Sequence, residues 1–467
     1  MNVSPEEVYA DIHLHSTFKP FMIKDARNPW VDYNKATPEE QKGRTARFSQ
    51  SDFSKSFAGN MRILGMALHA VERSLMNQLV SKPGIIARIL GLDIAKMREI
   101  YASRPFDILQ QELAFFYQYL KEPGGSREAV VAKNYAHLQQ ILANPDQIGI
   151  LLCIEGAHNL GFEYRDELFP ALNKKIAPAE PLNEALVDER IGFMKQHNVF
   201  MLTLCHFVFN HLATQPKAVE LTGAKKIITK NPIHSLKQVG DYRGLTFLGS
   251  YMVESLFENN IQIDIKHCDA MSRKHIYQIA RKMNKTVIGS HVACSGRPTN
   301  IQNNHLLNPM EDSEKERLAS MKFNMWDINL HDDDLIAIHE LGGLMGLIMD
   351  ERVLAGEKLL KEIRRTNGNW YSVVYNHIEH IYQVLRKAGF PASGCFDSIC
   401  IGSDFDGMID PIDTVTNEAD MPRLARELES LIEANYKQFE ASDLSPQQIV
   451  QKIMGKNVQA FLSKHFR

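Results

Sequence analysis

Little in this sequence speaks for a nucleic acid or a membrane as partner. Its 53 lysines and arginines are balanced by 56 aspartates and glutamates, a formal net charge of -3, so no basic field exists to hold a phosphate backbone. The first residues, Met1-Asn2-Val3-Ser4-Pro5-Glu6-Glu7, have neither the basic stretch nor the apolar core of a secretory leader. No uncharged apolar run reaches the roughly 18 residues a spanning helix needs. Cytoplasmic residence is the expectation. Cysteine is also scarce: the six (Cys153, Cys205, Cys268, Cys294, Cys395, Cys400) form no close-spaced metal knuckle, and a chain of this size needs no disulfide staple, so they read as reduced packing residues.

What the chain does have is short apolar runs ending in potential ligands. Such runs lie near 8–15, 147–155, 199–206, 261–267, 286–291, 344–349 and 398–404. Each is strand-sized, and most lead through a polar segment into helical patterning. This alternation predicts an α/β protein, a (β/α)8 TIM barrel whose polar strand ends gather at one mouth. Residues 1–467 are expected to form a single barrel domain with helical and loop insertions near 16–147, 156–187 and 297–327. The eighth strand is not evident; the stretch from Gly59 to Ile100 reads as a helical layer, and 24–56 as a polar excursion near the mouth. Ser445 followed by Pro446 predicts a helix start, with patterning to about Leu462.

Residues two apart on a strand share a face, so His13 and His15 can grip one ion from one side. Glu155 ends the run ILLCIE; a carboxylate at a buried strand end is costly unless paired or metal-bound, and its two oxygens can bridge two cations. The bland alternative is a cap or loop salt bridge. His267 and His291 close IDIKH and VIGSH and can complete a second centre, and this mixture of imidazole and carboxylate suits zinc. His206, closing MLTLCH, is either a further ligand or a donor to the scissile carbonyl. Asp404, in Gly402-Ser403-Asp404-Phe405-Asp406-Gly407, can move the proton between water and leaving nitrogen, unless it is a salt bridge or strand-end cap. Asp406 reads equally as a turn residue.

With these residues in hand the chain resembles the membrane-dipeptidase family, also called renal dipeptidase-like or peptidase family M19. The likeness runs through Asp11-Ile12-His13, Ile154-Glu155-Gly156, Leu202-Thr203-Leu204-Cys205-His206, Asp264-Ile265-Lys266-His267, Ser290-His291 and Gly402 to Gly407. It implies a barrel holding two zinc ions and hydrolysing dipeptides. His13 would bind one metal, Glu155 would bridge, and His267 with His291 would bind the other; His206 would touch substrate and Asp404 would be the acid/base. Two departures stand out. His13-Leu14-His15 replaces the family's H-x-D, and where the family carries a carboxylate-binding arginine the corresponding text here has Ile328, before Asn329. Arg297 is the candidate substitute.

The expected mechanism is attack by a dimetal-bound hydroxide on a small amide or dipeptide, with His206 stabilising the oxyanion. The expected partner is a small molecule, with homo-oligomer formation open. Two alternatives remain: an amidohydrolase acting on a non-dipeptide amide, cyclic amide or lactone, favoured by the H-x-H pair and the missing arginine, and a non-catalytic, metal-stabilised binding barrel.

Overall fold

A computed structural model describes residues 8–22, 28–31, 49–73, 94–163, 180–216, 243–299 and 322–467. Among the described residues nine strands form one parallel sheet: β1 (Tyr9–Leu14), β2 (Met61–Leu68), β3 (Glu128–Val131), β4 (Gln147–Glu155), β5 (Val199–Thr203), β6 (Gln262–Asp264), β7 (Ile288–Val292), β8 (Leu344–Leu347) and β9 (Ile399–Ile401). Eight of them close into a barrel, because β2 pairs with β4 and β9 returns to β1 through Asp11 and Ile401. The short β3 runs beside the start of β4, opposite Gln147–Ile150. Helices separate successive barrel strands from β4 onward, among them Glu184–Gln196, Phe247–Glu258, Ala270–Met283, Asp332–Glu340 and Tyr371–Lys387. This is the (β/α)8 architecture expected from the alternating pattern.

The eighth strand is β2, and here the helical reading of Gly59 to Ile100 is corrected. Met61-Arg62-Ile63-Leu64-Gly65-Met66-Ala67-Leu68 is buried throughout. A strand covered on both faces shows no alternation, and Leu, Met and Ala favour helices, so local signals misreport a segment that barrel closure fixes. Ile94–Ala102, at the end of that stretch, is helical, and residues 74–93 lie outside the described ones. Most of the excursion 24–56 also lies outside them, as do Tyr164–Asp166 and the polar residues Asn300, Asn303, Asn304 and His305.

The helices begin where the side chains allow. Asp269, Thr246 and Asn183 each accept a hydrogen bond from a backbone N–H in the first turn of the helix that follows, satisfying donors that would otherwise be orphaned. Ser445 caps Pro446–Gln451 as expected, with Gln448 completing a capping box. The chain then continues through a π-turn at Lys452–Lys456 into Asn457–His465. Val458, Phe461, Leu462 and Phe466 join Ala10, Ile12, Leu151, Met201 and Cys400 in one apolar cluster. The C-terminal helix thus packs on the barrel interior at the end away from the ligand-bearing strand ends. Among the described residues no helix is long and apolar enough to cross a membrane.

Gly402, one residue past β9, shows how closely the strand ends approach. A Cβ there would lie 1.7 Å from the Ser290 carbonyl oxygen and 3.2 Å from the Gly346 Cα. These are backbone atoms of neighbouring strands and cannot rotate away. Gly402→Ala is therefore expected to destabilise the fold by about 3 kcal/mol, the upper range for overpacking, measured as a lowered midpoint in chemical denaturation. An unchanged midpoint would mean that the strand ends are looser than described.

Candidate active site

The polar ends of β1, β2, β4, β5, β6, β7 and β9 converge on Glu155, which is 3 % exposed. Its Oε1 lies 3.5 Å from His13 Nε2, 3.2 Å from His267 Nε2 and 3.4 Å from His291 Nε2. Its Oε2 lies 3.4 Å from His15 Nε2, 3.3 Å from His69 Nδ1 and 3.9 Å from His206 Nε2. Asp404 Oδ1 sits 3.3 Å from His15 Nε2 and 4.0 Å from His13 Nε2. All the residues expected as ligands or as acid/base are therefore gathered at one point.

The backbone is shaped to deliver them. Asp11 Oδ1 accepts from the N–H groups of His13 and Ser403, each at 3.0 Å, tying the end of β1 to the segment carrying Asp404. Asp404 N donates to the His13 carbonyl at 2.9 Å, and His15 N to that of Phe405 at 2.8 Å. His267 and Asp404 both adopt left-handed backbone, with φ of 63° and 62°, a conformation uncommon outside glycine that aims each side chain off the strand direction. Gly407 leaves the room Asp404 occupies: a Cβ there would lie 2.0 Å from Asp404 Oδ1. Asp406 turns away, paired with Lys19 at 2.8 Å and accepting from Gln50 N and Ser51 N; it holds the mouth loops.

The donor spacing suits metal ions. His13 Nε2 and His15 Nε2 are 3.2 Å apart, as are His267 Nε2 and His291 Nε2, and ligands about 2.05 Å from a four-coordinate zinc stand about 3.3 Å from one another. The groups His13/His15/Glu155 and Glu155/His267/His291 each have donor atoms within 4.8 Å of one another. So do His13/His291/Asp404, His69/Glu155/His206 and His69/Glu72/His158. The Nδ1 atoms of His13, His15 and His267 are buried without a hydrogen-bond partner.

Electrostatics divides the ring. Burial pulls the imidazoles of His69 and His291 well below their ordinary value and carries His267 down to about 3, so these three are neutral with lone pairs free for a cation. Burial also works against charge on His15, but Asp404 and Glu155 outweigh it and raise the ring to about 9. For His206 the opposing carboxylate is Glu72, whose Oε1 stands 2.6 Å from Nδ1 and also accepts from Phe207 N at 2.9 Å. Glu155 resists its own burial because His206, His13 and His267 hold its carboxyl well below the usual range. Asp404 is shifted upward, by burial first and the Glu155 charge after it, against the pull of His15.

Arg297 is not brought to this cluster. Its guanidinium is 2.9 Å from Asp327 Oδ1 and donates to the Met325 carbonyl. Conversely, sequence reasoning passed over His69, Glu72, His158 and Lys266. His69 ends β2 in the same way that the other histidines end their strands, and was hidden by the helical reading. Glu72 carries no sequence signal. Cys205 and Cys268 are buried, and Cys205 Sγ donates to the Thr214 carbonyl at 3.9 Å.

No family model matches the chain, and no curated protein matches it. Solved structures do share its fold. It is similar to an amidohydrolase from Pseudomonas aeruginosa (14 % identity, TM-score 0.53, 99 % of each chain covered). It is also similar to a dipeptidase AC of family M19 (13 % identity, TM-score 0.56, 98 % of each chain covered). A third is a metallo peptidase from Rhodobacter sphaeroides liganded with a phosphinate mimic of L-Ala-D-Ala (12 % identity, TM-score 0.56, 98 % of this chain and 99 % of that one covered). Fold and donor clusters together support a metal-dependent hydrolase.

The Glu72–His206 pair gives a direct check. Replacing Glu72 by Gln removes the anion that raises His206, so in metal-free protein the His206 imidazole is expected to titrate at lower pH than in wild type, followed by NMR of labelled histidine. An unmoved titration would show that Glu72 does not govern this ring.

Proposed function

We propose that the protein is a zinc-dependent hydrolase of the M19 dipeptidase type that cleaves small amides or dipeptides. The observation carrying this reading is the convergence of two histidine pairs, His13/His15 and His267/His291, on the one Glu155 carboxylate. One ion would be held by His13 and His15, a second by His267 and His291, and Glu155 would serve both. Bound there, the ions supply Lewis acidity, lowering the pKa of water and polarising the scissile carbonyl.

The chain's own groups then have distinct tasks. Asp404, whose raised carboxyl takes up a proton more readily than an exposed aspartate, accepts the proton of the attacking water and returns it to the leaving nitrogen. His206 is pinned through Nδ1 by Glu72, which leaves Nε2 directed towards Glu155 and the site. From there Nε2–H donates to the carbonyl oxygen as it gains negative charge. Buried His69 fills the space beside His206, with ring centroids 4.4 Å apart, and helps keep bulk water out.

A second reading, hydrolysis of a cyclic amide or lactone without a free carboxylate, is favoured by the engagement of Arg297 with Asp327. Turnover of L-Ala-D-Ala against its C-terminal amide, a cyclic dipeptide and a lactone separates the two. A chelator is expected to abolish turnover and zinc to restore it. Stoichiometric zinc with no turnover of any substrate, and unfolding on chelation, would instead identify a metal-stabilised binding barrel. Asp404→Asn is expected to lower kcat by about a hundred- to ten-thousand-fold while zinc content, measured by elemental analysis, stays at the wild-type level. Retention of wild-type kcat would remove Asp404 from the proton path.

A further inference from the structure

Lys266 stands one residue before His267, at the end of β6, and is 2 % exposed. Its Nζ has no hydrogen-bond partner among the described residues. Other buried cations of the described structure are differently placed. Lys19 is 2.8 Å from Asp406, Arg73 2.7 Å from Glu163, Arg190 2.6 Å from Glu180 and Arg273 3.1 Å from Asp334. A buried ammonium left without an anion costs several kcal/mol, and a methionine of similar length would avoid that cost. Packing alone therefore does not account for a lysine here.

The carboxylates near enough to act on Lys266 electrostatically are Asp404, Asp264, Glu155 and Asp350, and each is engaged elsewhere. Asp264 Oδ1 accepts from Lys266 N and Ser290 N, and its Oδ2 from Thr203 Oγ1 and Ser290 Oγ. Asp350 is bound by Arg352, Asp404 by His15 and Glu155 by the histidine ring. Asp264 also fixes the backbone from which Lys266 springs. Asp404 follows β9, Asp350 follows β8, Glu155 ends β4 and Lys266 follows β6, so the lysine and these carboxylates stand at the same end of the barrel as the ring.

We propose that Lys266 receives a carboxylate oxygen of the substrate, so that the amides cleaved here carry a free carboxylate close to the scissile bond. The assignment rests on the hydrolase reading above. It gives the site the cation that Arg297, occupied by Asp327, does not provide. An ammonium is a point charge without the guanidinium's planar fork, so it fixes the sign of the recognised group more than its orientation.

The test uses full-length, zinc-loaded protein as wild type, Lys266→Met, Lys266→Gln and Lys266→Arg, with L-Ala-D-Ala and its C-terminal amide as substrates. Wild type should prefer the free acid. Both neutral variants should lose about 30-fold or more in kcat/KM on it, chiefly through KM, with the amide rate and zinc content little changed, and Lys266→Arg should recover part of the loss. Equal losses on acid and amide, or an undiminished preference in the neutral variants, would overturn the assignment and leave the hydrolase reading standing. If wild type turns over neither compound the dipeptide reading falls, and Lys266 is judged on calorimetric binding of acetate: weakening of about tenfold or more in both neutral variants supports it, whereas equal affinity, or no binding to wild type, overturns it.

Discussion

One carboxylate sunk among imidazoles sets the terms for the rest of this molecule. Glu155 ends a strand that is apolar from Ile148 to Ile154, and it lies out of reach of solvent. An isolated anion in that position would cost several kcal/mol. The fold answers by bringing histidines from the ends of five other strands to within 4 Å of its two oxygens. Each histidine is then defined by whether a second carboxylate stands behind it. His15 has Asp404 and His206 has Glu72, and both are raised; His69, His267 and His291 have no such backing as close, and stay neutral. Charged groups that hold protons and neutral groups that hold lone pairs thus coexist within one small volume, as metal-assisted proton transfer requires.

Holding so many like groups together needs a rigid backbone, and the barrel supplies it at the strand ends. Asp11 joins β1 to the segment after β9 through two N–H groups, while Asp264 joins β5, β6 and β7 through backbone and hydroxyl donors. Both aspartates lie beneath the ring and precede a site histidine by two or three residues. The left-handed turns at His267 and Asp404 store backbone strain on the order of 1–3 kcal/mol each, which these neighbouring hydrogen bonds hold in place.

Seven of the eight barrel strands were legible because each joins a short apolar run to a polar terminus, a pattern that helices do not produce. The eighth was not, because MRILGMAL has the composition of a helix and its strand state comes from pairing with β1 and β4 along its length. That one omission concealed His69 and, four residues beyond the strand, Glu72. The convergence of His13, His15, Glu155, His206, His267, His291 and Asp404 could be anticipated, since parallel strands deliver their ends to one mouth. Pairings between side chains of distant loops, such as Arg297 with Asp327 or His206 with Glu72, leave no trace in spacing. Lys266 lay in plain view within IDIKH, but only burial and the lack of a partner give it meaning.

The departure from the M19 pattern at His15 acts through charge. With His15 where that pattern has an aspartate, the β1 side of the site loses one negative charge, and taken alone this would leave a more cationic centre. In the folded chain His15 instead faces Asp404 at 3.3 Å, so an anion from beyond the adjoining strand β9 stands beside the substituted position. Under the proposed mechanism Asp404 would serve two demands, neutralising the β1 side and moving a proton. Each limits the other, because an imidazolium next to it lowers the basicity that burial and Glu155 raise. The balance between these opposing influences, set by the strand-end geometry, would decide how readily Asp404 takes a proton from water in the proposed reaction.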